Sequence, residues 1–134
     1  MSLFSEAEID YLRSQRLGRL ATAGPDGKPH VVPVSFQYNA DLDTIDIGGH
    51  NFGARKKFRD VKTNPWAAIV IDDLVTVDPW QPRMLEIRGS AEALDTGGTL
   101  LGPGFADQLI RLHPTRVNSF GLDAGQTSIA ARSV

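Results

Sequence analysis

Apolar and polar positions alternate along this chain in short runs, the signature of half-buried strands. Between His30 and Tyr38, Val32, Val34, Phe36 and Tyr38 fall on one side of an extended strand, and Val31, Pro33, Ser35 and Gln37 on the other. Met84–Leu94 repeats the pattern, with Leu85, Ile87, Ala91 and Ala93 opposed to Glu86, Arg88, Ser90 and Glu92. Arg19–Ala23 and Thr44–Gly48 read as shorter strands, and Thr127–Ala131 as a last one. Trp66–Ile71 is apolar without alternation, which predicts a strand covered on both faces, by a barrel interior and by a partner subunit. Turn residues at Gly24–Gly27 and Asn39–Asp43 separate the early strands, and Asp72–Pro82 reads as a loop.

Three segments read as helices. The first spans about residues 6–15. Ser5 is its N-cap, Glu8 completes a capping box, and Phe4 and Ile9 stand where a hydrophobic staple would. The second is the basic stretch Gly53–Thr63, stopped by Asn64-Pro65, and the third is Phe105–His113, stopped by Pro114. Strands far outnumber helices, so the expected fold is mainly β: a barrel capped by short helices.

At 134 residues the chain is expected to form one domain over 1–134, with a single modest core. That leaves no room for separate cofactor and substrate domains, so any site lies on the barrel surface or between two copies. The absence of cysteine excludes disulfides and thiolate chemistry. A net charge of −2 argues against a nucleic-acid or membrane-surface partner. There is no apolar run of membrane-spanning length, and the first residues lack the plan of a signal peptide, so a cytoplasmic protein is expected.

The densest cationic stretch is Ala54–Lys62. At helical spacing Ala54, Phe58 and Val61 share a face and form the expected buried stripe. Arg55 and Lys57 flank that stripe, while Lys56 and Arg59 point further into solvent. Two cations bracketing a helix start suit a phosphate, and Gly48-Gly49 just before it would let a ligand approach the backbone. Pro33 removes a ladder donor, which fits an edge strand and equally a planar ligand lying against Val32-Pro33-Val34. His30, His50 and His113 are scattered without metal-ligand spacing; His50 stands beside the candidate ligand site, and His113 reads as a helix end. Asp72 and Asp73 read as a strand end. No Ser/His/Asp set is evident, which fits a protein that positions a cofactor carrying its own chemistry.

Four stretches, in this order and spacing, resemble one family: Arg19–Thr22 with Asp26–Phe36; Arg55–Lys57 with Asn64-Pro65; Asp78–Arg83 with Glu86–Glu92; and Pro114–Leu122. The sequence is similar to the pyridoxamine 5'-phosphate oxidase-like split β-barrel superfamily. Within it, it resembles the branch of deazaflavin reductases that use coenzyme F420, which includes reductases of tetracycline biosynthesis. The resemblance implies a split β-barrel of the FMN-binding type and a homodimer with two cofactor grooves at the subunit interface. It implies that Lys57 and Arg55 hold the phosphate and that Val32-Pro33-Val34-Ser35 runs along the tricyclic ring. It further implies that Trp80 reaches the groove from the partner subunit, and that Phe120 lies near the ring where relatives often carry Trp. The implied activity is hydride transfer between reduced deazaflavin and a conjugated or quinone-like small molecule. The alternatives are an FMN-dependent oxidoreductase on the same fold and a non-catalytic flavin or deazaflavin binder. Lys56, Arg59 and Arg83 are available for a polyglutamate tail. The chain ends Ala130–Val134 without the Arg/Trp-rich substrate motif of true pyridoxamine phosphate oxidases, so that reaction is not expected.

Overall fold

The computed structural model describes residues 1–123 and 125–134. Helix α1 (Glu6–Ser14) begins where the capping box predicts. The Ser5 hydroxyl accepts from the Glu8 N–H at 3.2 Å, and the Glu8 carboxylate accepts from the Ser5 N–H at 2.8 Å. Seven strands follow: β1 (Leu17–Ala23), β2 (Pro29–Asn39), β3 (Thr44–Gly48), β4 (Trp66–Leu74), β5 (Pro82–Leu94), β6 (Leu109–Phe120) and β7 (Ala130–Ser133). Helix α2 (Lys56–Thr63) lies between β3 and β4.

The sheet order is β3-β2-β1-β4-β5-β6-β7, and β3 also pairs with β6. That extra pairing closes a six-stranded barrel and leaves β7 as an appendage. Both β3 and β7 use the same edge of β6, β3 at residues 110–112 and β7 at residues 116–119. On the other side, β3 accompanies β2 only over Ser35–Asn39. Pro29–Val34 therefore has β1 as its one strand neighbour, and the barrel is split along this edge. Pro33 sits there, where a missing N–H costs no ladder bond. Inward-facing Leu20, Ile45, Ile47, Ile69, Ile71, Leu85, Ile87 and Val117 are fully buried and fill the barrel.

The segment Phe105–His113 is not a helix. Leu109–Phe120 forms β6, paired with β5 on one side and with β3 and β7 on the other, which buries Ile110 and Leu112 completely. Pro114, read as a helix stop, lies inside the strand at a bulge. The register passes from Arg88↔Arg116 to Gly89↔Pro114, so Thr115 is the extra residue. A Cβ at Gly89 would lie 1.8 Å from the His113 carbonyl oxygen, so only glycine fits opposite the bulge. His113 is accordingly a strand residue whose ring contacts Glu92.

The basic helix is also shorter than predicted. A 3-10 turn at Phe52–Ala54 precedes it, and Arg55 is extended at φ −82°, ψ 149°. This break removes Ala54 from the buried stripe and leaves it exposed, and Phe52 takes its place, meeting Phe58 edge-on at 5.8 Å between ring centres. Strand β4 continues to Leu74 and β5 begins at Pro82, which shortens the connecting loop to residues 75–81. Along β4 burial alternates: Ala67, Ile69 and Ile71 face the core, while Trp66 remains 59% exposed in the single chain. The last strand is Ala130–Ser133 rather than residues 127–131. Among the described residues no helix is long and apolar enough to cross a membrane.

Candidate functional site

Where β2 loses its neighbour, a groove of about 400 Å³ opens between the free edge of β2, the end of β3 and the start of α2. Val32, Pro33, Val34, Ser35, Gly48, Gly49, His50, Arg55 and Lys57 all line it, so one site gathers nine residues singled out in the sequence. His30, Phe52 and Lys56 line it as well; of these, the sequence gives a ligand role only to Lys56, toward a polyglutamate tail. Lys56 is exposed, as helical phase predicts, and also lines the groove.

The cations here are of two kinds. Lys56 is spent: its Nζ donates to both carboxylate oxygens of Asp60, at 2.9 and 3.3 Å, and Thr22 donates to Asp60 at 2.9 Å. Burial pushes the Asp60 carboxyl up, but the hydrogen bonds from Lys56 and Thr22 and the Lys56 charge outweigh it and hold the group below the usual carboxylate range. Arg55 and Lys57, in contrast, make no ion pair among the described residues. The Lys57 ammonium lies 5.2 Å from the Phe52 ring centre. Burial first, then the Arg55 charge, lower its affinity for the proton. Helix α2 starts without a side-chain cap, so its first N–H groups add positive potential at the same place.

The other end of the groove is shaped by the loop between β5 and β6. A Cβ on Gly48 would come within 2.7 Å of the Leu101 side-chain tip and 3.1 Å of Phe105, so tight packing of this loop favours glycine there. Gly49 meets only Phe52 at 3.6 Å and retains the room expected of it. Its carbonyl accepts from the Ala106 N–H at 2.9 Å. Phe105 lies 6.3 Å from the His50 ring, and Gly104, at φ +78°, passes so close that a Cβ would stand 2.6 Å from His50 Cε1. The loop thus fixes the turn that carries His50.

Trp80 and Phe120 do not join this groove within one chain. They line a second hollow of about 320 Å³ with Val75, Pro82, Arg83 and Leu122, where β4 and β6 end and β5 begins. Trp80 is 66% exposed there. Arg83 is committed to Asp73 through two bonds of 2.9 and 2.6 Å and covers the Tyr11 ring at 4.9 Å, so it is not a free cation. The Tyr11 hydroxyl donates to Asp73 at 2.8 Å, and burial together with that carboxylate pushes the phenol's pKa up. A third, shallow and almost wholly apolar hollow runs over the outer face of β1 and β4 around Ala21, Ala23, Pro29, Trp66 and Ala68.

Residues 4–119 match the family model described as pyridoxamine 5'-phosphate oxidase. Over 132 residues the chain is 44% identical to the 5a,11a-dehydrotetracycline/5a,11a-dehydrooxytetracycline reductase of Streptomyces rimosus, covering 98% of this chain and 93% of that protein. Among solved structures it resembles a pyridoxamine 5'-phosphate oxidase-related, FMN binding protein from Nostoc punctiforme, with a TM-score of 0.66 and 14% identity over 100% of this chain and 97% of that one. It also resembles a heme binding protein from Mycobacterium smegmatis, with a TM-score of 0.69 and 19% identity over 99% of this chain; it spans 60% of that protein's length. At such identities these two likenesses establish the fold alone.

Proposed function

The chain belongs to the pyridoxamine 5'-phosphate oxidase family, and on that premise we propose that it is an oxidoreductase that binds coenzyme F420 in the groove between β2, β3 and α2. FMN is the alternative cofactor on the same fold. The observation that carries the reading is the pair of unneutralised cations, Arg55 and Lys57, at the uncapped start of α2. A phosphate fits this donor set: it relieves the repulsion between the two side chains and accepts from the free helix N–H groups.

When bound, a reduced deazaflavin supplies a hydride to one carbon of a conjugated C=C, and the other carbon takes a proton. The chain's own part is to bind, orient and exclude water. Arg55 and Lys57 anchor the phosphate end. Val32, Pro33 and Val34 offer a flat apolar wall for the ring, with Ser35 beside it. His50, held by the loop at Phe105, closes the far end. The name of the 44% identical reductase supports a conjugated polyketide as the acceptor class.

In this reading the site is completed by a second copy in a homodimer, whose Trp80 and Phe120 cover the ring. Two features support a second copy: the exposed apolar tip Val75, Val77 and Trp80, and the apolar outer face of β4. The test is a side-by-side fluorescence titration with coenzyme F420 and FMN, on protein whose mass is followed by light scattering. Tighter binding of F420 by a dimer is expected, with oxidation of the reduced cofactor only when an acceptor is added. Equal or tighter FMN binding would reverse the cofactor order. A monomer at micromolar concentration would remove Trp80 and Phe120 from the site, and binding without acceptor-dependent oxidation would mean a carrier.

A further inference from the structure

The groove and the second hollow lie on one continuous outer face of the barrel. A row of outward side chains crosses β2, β1, β4 and β5 as Pro33, Arg19, Val70 and Glu86. Two residues along, the next row carries Ser35 and Leu17, then Asp72, Met84 and Phe120. Pro33 and Ser35 wall the groove, and Phe120 walls the hollow. In a two-fold dimer every contact is made twice: if the partner's hollow covers this groove, this hollow covers the partner's groove. The axis then passes midway between groove and hollow, and the strands midway between β2 and β5 are β1 and β4. Their outward side chains at this level are Leu17, Arg19, Val70 and Asp72. Arg19 reaches Asp72 at 2.9 Å, with the two side chains 46% and 54% exposed. Around the pair the surface is apolar. Leu17 and Val31 are exposed, and the shallow hollow at Ala21, Ala68 and Trp66 adjoins them. The other ion pair of this face, Arg88 with Glu86, lies one strand off the midpoint, and Glu86 also accepts from Asn118 at 2.6 Å.

We propose that a second copy of the chain packs on the outer face of β1 and β4, with the Arg19–Asp72 pair on the two-fold axis. There each guanidinium faces the partner's Asp72 as well as its own, which closes a ring of four alternating charges. An isologous interface has to be self-complementary. An exposed Arg–Asp pair meets that requirement, because the half-turn relating the copies sets plus against minus at both contacts. The apolar side chains around the pair keep water from the ring. The inference rests on the reading that the partner's Trp80 and Phe120 complete the groove, and it names the surface and the charges that bring them there. A salt bridge that contributes little on a lone chain thereby sets partner and register.

The experiment uses the full chain with Arg19→Asp, with Asp72→Arg, and with both together. Mass is followed by sedimentation over a range of concentrations, and coenzyme F420 and FMN are titrated in parallel. Either reversal alone sets like charges together at both symmetric contacts and is expected to weaken self-association about 100-fold. An equimolar mixture of the two single variants should dimerise within about tenfold of wild type, because each contact between the chains again joins opposite charges. The double variant should do so on its own. If the pair acts only within one chain, mixing restores nothing, and that outcome overturns the proposal. Single variants that dimerise as wild type does overturn it as well. Should a reversal impair folding, Leu17→Lys serves in its place, since Leu17 is exposed in the single chain. It is expected to weaken the dimer about tenfold, and a dimer indifferent to it overturns the proposal. The two readings separate in the titrations. Dimers that break as expected while cofactor affinity holds would keep this face and remove the partner from the groove. Dimers that ignore every substitution on this face, yet lose cofactor affinity with Trp80→Ala, would keep the partner-completed groove and overturn this face.

Discussion

At the α1 end of the barrel, carboxylates face arginines. Glu8, 3% exposed, receives two bonds from Arg132 at 2.8 and 2.6 Å, and Asp73 receives two from Arg83. At the α2 end Asp60 is matched by Lys56, but among the described residues Arg55 and Lys57 stand without a carboxylate. At each end a short helix contributes charged side chains, Glu8 on α1 and Lys56 and Asp60 on α2. The difference is whether the partner comes from this chain. Where it does, the charge holds the fold together; where it does not, the position is left for something that arrives from outside. Substitutions at the two ends should therefore separate stability from binding.

The largest effect is expected at the α1 end. Arg132→Ala leaves the Glu8 carboxylate buried with only the capping-box donors around it. Breaking a buried pair from one side costs about 3 kcal/mol, the lower end of the usual range because Arg132 is itself partly exposed. It also releases Leu3, whose carbonyl accepts from the same guanidinium at 2.8 Å, and so loosens β7 and the N-terminal segment together. Denaturant unfolding should report this loss while cofactor titration stays unchanged. A comparable loss of cofactor affinity in folded protein would show that the two ends are not independent.

Next is Lys57→Ala, with the opposite pattern. A direct charge-assisted contact to a phosphate is worth roughly 1.5–3 kcal/mol, about ten- to a hundredfold in affinity. The melting temperature should hold or rise, because the substitution removes a half-buried ammonium repelled by Arg55 and alanine is a better helix former than lysine. Loss of stability without loss of affinity would place Lys57 with the structural charges of the other end.

This contrast was partly legible in the sequence. The capping box at Ser5 and Glu8, the alternation of β2 and β5, and the turn residues are local signals, and local signals survive folding. The gathering of Val32–Ser35 with Arg55 and Lys57 followed from the resemblance and from the cationic run. Two features were not legible because they depend on partners distant in the chain. Leu109, Ile110 and Leu112 with a following proline satisfy a helical pattern, and only pairing with β5 and β3 makes them a strand; Gly89 in an otherwise regular strand was the one local hint of the bulge at Pro114. The extended residue Arg55 breaks the helix and takes Ala54 off its buried face.

The smallest effect, and the sharpest test of the comparison, concerns Lys56→Ala. Lys56 lines the groove beside Lys57, yet its charge is spent on Asp60, so it should behave like the α1 end. Its side chain is half exposed, and Asp60 keeps its bond from Thr22, so the loss at neutral pH should be near 1 kcal/mol, with cofactor affinity changed less than about threefold. The pH dependence identifies the cause. In wild type the folded-state pKa of Asp60 lies below its ordinary value. A carboxylate depressed in this way contributes stability that is present above its unfolded value, near 4, and is lost as pH falls through the folded value. Without Lys56, burial is opposed by the Thr22 hydrogen bond and the weaker influence of His30, and the pKa of Asp60 rises toward its unfolded value. The variant should therefore melt below wild type at pH 7, and the gap should close as the pH falls below about 4, where Asp60 is protonated in both unfolded chains and in the folded variant and the wild-type advantage is draining away. Thermal melts of the two proteins between pH 3 and pH 7 read this directly. A gap independent of pH would mean that Lys56 stabilises α2 through packing alone. A large loss of cofactor affinity with no pH-dependent gap would mean that Lys56 belongs with Arg55 and Lys57 after all, and the division between spent and unspent cations would fall.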